Sequence, residues 1–149
     1  MEPTCEIDEI GNKEWRLNDK FHREDGPAVE YANGTKFWCL NGRYYREDGP
    51  AVEWASGRRE WYLNGIRHRD DGPAVINRLV GGGGGATNDD GDEYWYRNGL
   101  CHREDGPAVK RDNGIIEWWL NNRLVSVGER PENWNELVLL AQVEQVMND

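Results

Sequence analysis

A 23-residue period governs this sequence. Trp15, Trp38 and Trp61 stand 23 residues apart, as do Trp95 and Trp118, and the gap of 34 from Trp61 to Trp95 is one period plus 11. An asparagine follows each of these tryptophans by three residues (Asn18, Asn41, Asn64, Asn98, Asn121), and a glycine precedes each by four (Gly11, Gly34, Gly57, Gly91, Gly114). Between them recur HREDGPAV at His22–Val29, YREDGPAV at Tyr45–Val52, HRDDGPAV at His68–Val75 and HREDGPAV at His102–Val109. Self-similarity at a fixed period identifies an array. Each unit is one small motif that cannot bury its apolar face alone, so neighbours must stack.

Within a unit, alternation places Trp38 with Leu40 and Trp61 with Leu63 on one strand face, and Val29 with Tyr31 and Val52 with Trp54 on another. Asn33-Gly34, Ser56-Gly57 and Asn113-Gly114 predict two-residue hairpin turns. The Asp-Gly-Pro triplets predict a second corner, where Asp bonds its own backbone, Gly takes a permissive φ and Pro ends the pairing. The unit therefore reads turn–strand–turn–strand. Trp15, Trp38, Trp61, Trp95 and Trp118 are the structural residues, predicted to be buried in a Trp/Leu/Val seam with the Arg-Glu-Asp corners exposed along one edge. The expected fold is all-β: an elongated array of ~23-residue β-hairpin repeats closed by a C-terminal capping α-helix.

Residues 1–13 form a lead-in and partial repeat, 14–126 the five repeats, and 127–149 the helical cap. The spacing from the GPAV valine to the next glycine is five in the regular units but 16 from Val75 to Gly91, so the 11 extra residues fall within 76–91. Gly83, Asn88, Asp89 and Asp90 then belong either to a loop that reaches a ligand or to a tolerated linker, and the run Gly81–Gly85 suits the linker. Pro131, at a first helical position, predicts a helix through Met147. Trp134, Leu137, Val138 and Ala141 form one apolar stripe, which Leu139, Leu140, Val143, Val146 and Met147 widen. That helix is expected to close the array, and so wide a face also suits a homodimer or a partner helix.

The period, the Gly/aromatic hairpins and segments such as YLNG resemble MORN-type repeats, and more closely the variant MORN-like repeats of bacterial antitoxin-like and of phage or large-virus proteins. The likeness covers Gly11 to about Asn121 and departs from ordinary MORN units at the charged HREDGPAV corner. It implies the hairpin-array fold more than any lipid-binding or scaffold role. WYLNG and YWYRNG also echo choline- and wall-binding hairpins, whose period is shorter.

Acidic residues number 28 against 18 basic ones, a net charge of −10, which disfavours direct contact with nucleic-acid phosphate or an anionic membrane. No apolar run approaches 18 residues, and the first ten residues lack the layout of a signal peptide. Cys5, Cys39 and Cys101 form no CxxC, so a reduced, cytoplasmic setting is expected, the host cytoplasm if the chain is viral. His22, His68 and His102 share a column that Tyr45 interrupts. Neighbouring strands stand about 4.8 Å apart, too far for this ladder to converge on a metal at about 2.0–2.6 Å. No metal centre is expected; pairing of the Arg23, Arg46, Arg69 and Arg103 column with carboxylates of neighbouring units is. Each notable polar group recurs four times, and Cys39 and Cys101 lack a His–Asp arrangement, so neither catalytic residues nor a cofactor are expected.

What remains is surface. Candidate partner-binding residues are Arg23, Asp25, Arg46, Asp48, Arg69, Asp71, Arg103 and Asp105 at the corners. Tyr62, Tyr96 and Trp119 join them from the face that also carries Phe37, Cys39 and Tyr94. The expected function is that of a non-enzymatic inhibitor, of the antitoxin or phage anti-defence kind, which neutralises a protein partner with a basic surface. The alternative is a module for a sugar, a choline-like cation or a signalling nucleotide, using aromatic ladders and the inserted loop.

Overall fold

In the computed structural model, which describes residues 2–78 and 91–148, the 23-residue period becomes a single antiparallel meander. Its strands, in hydrogen-bonded order, are Thr4–Ile7, Lys13–Leu17, Val29–Glu30, Lys36–Phe37, Val52–Glu53, Arg59–Glu60, Val75–Asn77, Asp92–Tyr94, Val109–Lys110, Ile116–Leu120 and Arg123–Val127. Lys20–Phe21 pairs with Lys13–Leu17 off this path. The fold is thus all-β, an open sheet of hairpins with one helix, Trp134–Asn148, behind it. Each unit contributes two strands, so units advance about 9.6 Å along the sheet at the usual strand spacing. Asn77 pairs with Asp92, so the strands on either side of the insertion are adjacent and the meander is unbroken. Gly83, Asn88, Asp89 and Asp90 lie outside the described residues.

Three units add a short second hairpin: Cys39–Leu40 with Arg43–Tyr44, Tyr62–Leu63 with Ile66–Arg67, and Tyr96–Arg97 with Leu100–Cys101. The repeated tryptophan is where the chain leaves the long sheet for this hairpin. Trp38 donates its N–H to the Ala51 carbonyl at 2.8 Å and accepts from the Tyr45 N–H at 3.1 Å, and Trp15, Trp61 and Trp95 do the same in their units. Two-residue turns with both φ values positive stand at Asn41-Gly42, Asn64-Gly65 and Asn98-Gly99, and at Asn18-Asp19 and Asn121-Asn122 in the end units. They close hairpins, because residues with φ > 0 give a turn whose twist matches the strands. The turns expected at Asn33-Gly34, Ser56-Gly57 and Asn113-Gly114 are longer: Gly34 N–H closes a four-residue turn onto the Tyr31 carbonyl at 2.9 Å, and Gly57 and Gly114 do likewise.

The core is not the expected tryptophan seam. It runs through the Ala-Val pairs of the GPAV segments, Ala28/Val29, Ala51/Val52, Ala74/Val75 and Ala108/Val109, all at most 3% exposed. Trp15, Trp38, Trp61 and Trp95 are half-buried, Leu63 is exposed, and only Trp118 of the five tryptophans is buried. Small alanines let the strands and corners approach closely, which leaves no interior space for an indole. On the sheet side that carries Phe37, an edge-to-face aromatic layer links Tyr31, Phe37, Tyr44 and Trp54, and Tyr62 lies 4.9 Å from Tyr44.

The cap forms as expected, three residues later than Pro131. Its Trp134 is 1% exposed and meets Trp118 edge-on at 4.9 Å, with Leu120 and Ala141 in the same cluster. The Trp134 indole also donates to the Glu104 carbonyl at 2.7 Å.

Candidate partner-binding surface

The corners owe their shape to an arginine that turns inward. Each Arg follows its Trp by eight residues, and its guanidinium lies over that indole: Arg23 over Trp15 and Arg46 over Trp38 at 4.0 Å, Arg69 over Trp61 and Arg103 over Trp95 at 4.2 Å. A cation over an indole face is worth about 0.5–2 kcal/mol, depending on desolvation. The same guanidinium holds the corner from inside. Arg23 donates to Asp25 at 2.8 Å, to the Pro27 carbonyl at 3.3 Å and to Glu30 at 3.2 Å. Arg46 repeats this on Asp48, Pro50 and Glu53. Arg69 and Arg103 bind Asp71 and Asp105, and the carbonyls of Pro73 and Pro107. The expected pairing of these arginines between units is therefore replaced by pairing within each unit.

The corner glycines serve this contact. Gly26, Gly49, Gly72 and Gly106 do not adopt positive φ, contrary to expectation. A Cβ at Gly72 would instead stand 2.9 Å from the Arg69 guanidinium carbon, and one at Gly106 2.8 Å from that of Arg103. The guanidinium is sandwiched between an indole and a bare backbone. Gly72→Ala is accordingly expected to lift Arg69 off Trp61 at a cost of about 1 kcal/mol, read as a lower urea midpoint and a changed tryptophan emission.

With the arginine turned inward, the aspartates face out. Asp25, Asp48, Asp71 and Asp105 have side chains 83–86% exposed. The hydrogen bond and charge of the neighbouring arginine hold Asp25, Asp71 and Asp105 below the usual carboxylate range, so they stay ionised. Glu24 and Asp70 add exposed carboxylates, while Glu104 is drawn in by Arg97, His102 and Gln142. Successive corners enclose grooves of about 510–620 Å³, each lined by carboxylates of two units and one Trp, as with Asp25, Trp38 and Asp48.

The histidine column clasps units together. The Nδ1 atoms of His22, His68 and His102 accept the backbone N–H of Asn41, Asn98 and Asn121 in the following unit at 3.1–3.2 Å. Their Nε2 atoms face Glu24, Asp70 and Glu104. Tyr45 donates to Glu47 at 2.6 Å instead. Among the described residues no three His, Cys, Asp or Glu side chains are grouped to hold a metal ion. Burial pushes the Cys39 thiol up to about 11 and that of Cys101 to about 12, away from thiolate chemistry.

Tyr62 lines the groove of Asp48 and Asp71, and Tyr96 that of Asp71 and Asp105; Trp119 lines neither. All three are half-buried. Tyr62 donates to Glu60 at 2.9 Å, Trp119 donates to Glu117 at 2.8 Å, and Tyr96 lies 5.8 Å from the Arg67 guanidinium carbon. The hairpin ends Asn77 and Asp92, which carry the insertion, lie at the other end of the strands from the corners. One residue escaped the sequence reading altogether. Glu60, 4% exposed, accepts from Trp54, Arg58, Tyr62 and Arg67. Its sequence signal is a column just before the repeat Trp that holds Glu14, Glu60 and Glu117 in three units and Phe37 and Tyr94 in the other two.

A scan against family models finds no match to this chain, and a search of curated proteins finds none either. Among the described residues no helix is long and apolar enough to cross a membrane.

Proposed function

We propose that this chain is a non-enzymatic, MORN-like inhibitor, of the antitoxin or phage anti-defence kind, acting in the cytoplasm on a protein partner with a basic surface. The observation that supports this reading is the row of four outward aspartates on a rigid sheet, whose own arginines are turned inward on Trp. Such a row presents carboxylates at a pitch of about 9.6 Å. A partner segment in the polyproline II conformation has three residues per turn and rises about 3.1 Å per residue, so a cation at every third position lies on one face and keeps step with the corners. Complementary charge of this kind raises the association rate more than the final affinity, and salt screens it beyond about 8 Å. Cation or sugar capture on the tryptophans fits less well, because Arg23, Arg46, Arg69 and Arg103 already cover those rings.

The test is a pull-down from host lysate with the tagged chain beside a variant carrying Asp25→Asn, Asp48→Asn, Asp71→Asn and Asp105→Asn. Asn keeps the Oδ1 acceptor for arginine and removes the charge. A stoichiometric basic protein held by the wild type and lost from the variant is the expected result. Recovery of no stoichiometric protein partner by the wild type would overturn the reading.

A further inference from the structure

The C-terminal helix lays Trp134, Leu137, Val138 and Ala141 on its own array, flanks them with polar contacts, and turns a second apolar stripe towards solvent. Asn121 donates to the Ala141 carbonyl at 2.9 Å, Gln145 donates to Asn121 at 2.7 Å, Gln142 donates to Glu104 at 3.1 Å, and Arg123 bridges Glu144 at 3.1 Å. Beyond Trp134 and Ala141, little of the helix is buried. Leu139, Leu140, Val143, Val146 and Met147 are instead 57–81% exposed. A surface helix of a lone domain is apolar on its inward side alone; this one is apolar on both sides.

Those five positions are symmetric about Val143. Leu139 mirrors Met147, Leu140 mirrors Val146, and Val143 mirrors itself. An apolar stripe that reads the same in both directions is self-complementary under a two-fold axis through its middle, which is the requirement of an isologous contact. We infer that this face pairs with the same face of a second copy, the two helices antiparallel and crossing at Val143. Antiparallel pairing also opposes the two helix dipoles. The stripe carries no charge, so the −10 net charge of each chain is kept outside the contact. Five such side chains offer about 500 Å² per copy, at the upper end of the patches that single domains leave open. Two copies bury about 1,000 Å² between them, the lower bound for a specific contact.

Sedimentation of the full chain at about 100 µM is expected to give twice the 17.2 kDa chain mass. Joint Leu140→Glu and Val143→Glu should return the monomer mass and keep the wild-type far-ultraviolet circular dichroism, since neither side chain is buried within one chain, and should abolish the concentration dependence of the melting temperature. The two-fold axis is tested by single cysteines in a Cys5→Ser background under mild oxidation. Val143→Cys should cross-link to itself. Leu139→Cys and Met147→Cys should cross-link only when the two variants are mixed. A wild type that sediments as a monomer, a glutamate variant that remains dimeric, or equal self-cross-linking at all three positions would each overturn the inference.

Discussion

Trp134→Ala should destabilise the protein by about 3–5 kcal/mol, as deletion of a buried aromatic ring does. The reason lies in the fifth unit. Four tryptophans are covered by an arginine eight residues on, but Ser126 stands eight residues after Trp118, and the cap supplies Trp134 in its place. Removing that indole uncovers Trp118 and Leu120 and frees the hydrogen bond to Glu104. Urea unfolding followed by far-ultraviolet circular dichroism should show the helix signal lost first, ahead of the sheet. Trp15→Ala, at the open end and half-buried, should cost less. Equal losses for the two variants would contradict the capped array.

The second large effect is at Glu60. Burial pushes its carboxyl up, but hydrogen bonds from Arg58, Tyr62 and Trp54 outweigh that and bring it down to about 2. Glu60→Ala leaves those donors facing an empty site. Breaking a buried ion pair costs about 3–5 kcal/mol, and partial exposure of Arg58 and Arg67 brings the expectation to about 2–3 kcal/mol. Because the folded carboxyl titrates below its ordinary value of 4.5, its contribution is complete above that pH. It is lost as the pH falls from about 4.5 towards 2. Wild-type stability should therefore drop steeply through that window, and the drop should be shallower in Glu60→Gln. Parallel pH profiles would remove Glu60 from the account.

The period, the hairpin array, the Ala-Val strands and the cap were legible because repeated spacing and alternation report backbone path directly; that the sheet stays open was not. The coverage of the tryptophans was less so. Arg23 and Trp15 stand in separate columns, and periodicity says which residues recur, not which columns touch. The same gap hid the role of Gly72, whose freedom serves a contact with Arg69 and not a turn angle. Glu60 was missed for a different reason: its column is mixed, Glu14, Glu60 and Glu117 alternating with Phe37 and Tyr94, and a reading built on constant columns passes over one that varies. Tyr62 and Trp119 looked free in sequence although their carboxylate partners, Glu60 and Glu117, lie two residues before them on the same face, because the carboxylates were sought as partners for the arginine column alone.

The central claim is that the aspartate row recognises spaced positive charge. Its most direct measurement is the association rate of two synthetic peptides, each with four arginines separated by or clustered within neutral residues, across a range of salt. One peptide has arginine at every third position; the other has the same four arginines together. The account predicts faster association and tighter binding of the spaced peptide, a rate that falls as salt rises, and loss of the preference when Asp25, Asp48, Asp71 and Asp105 are all changed to Asn. Equal binding of both peptides, or a preference unchanged in the quadruple variant, would contradict it.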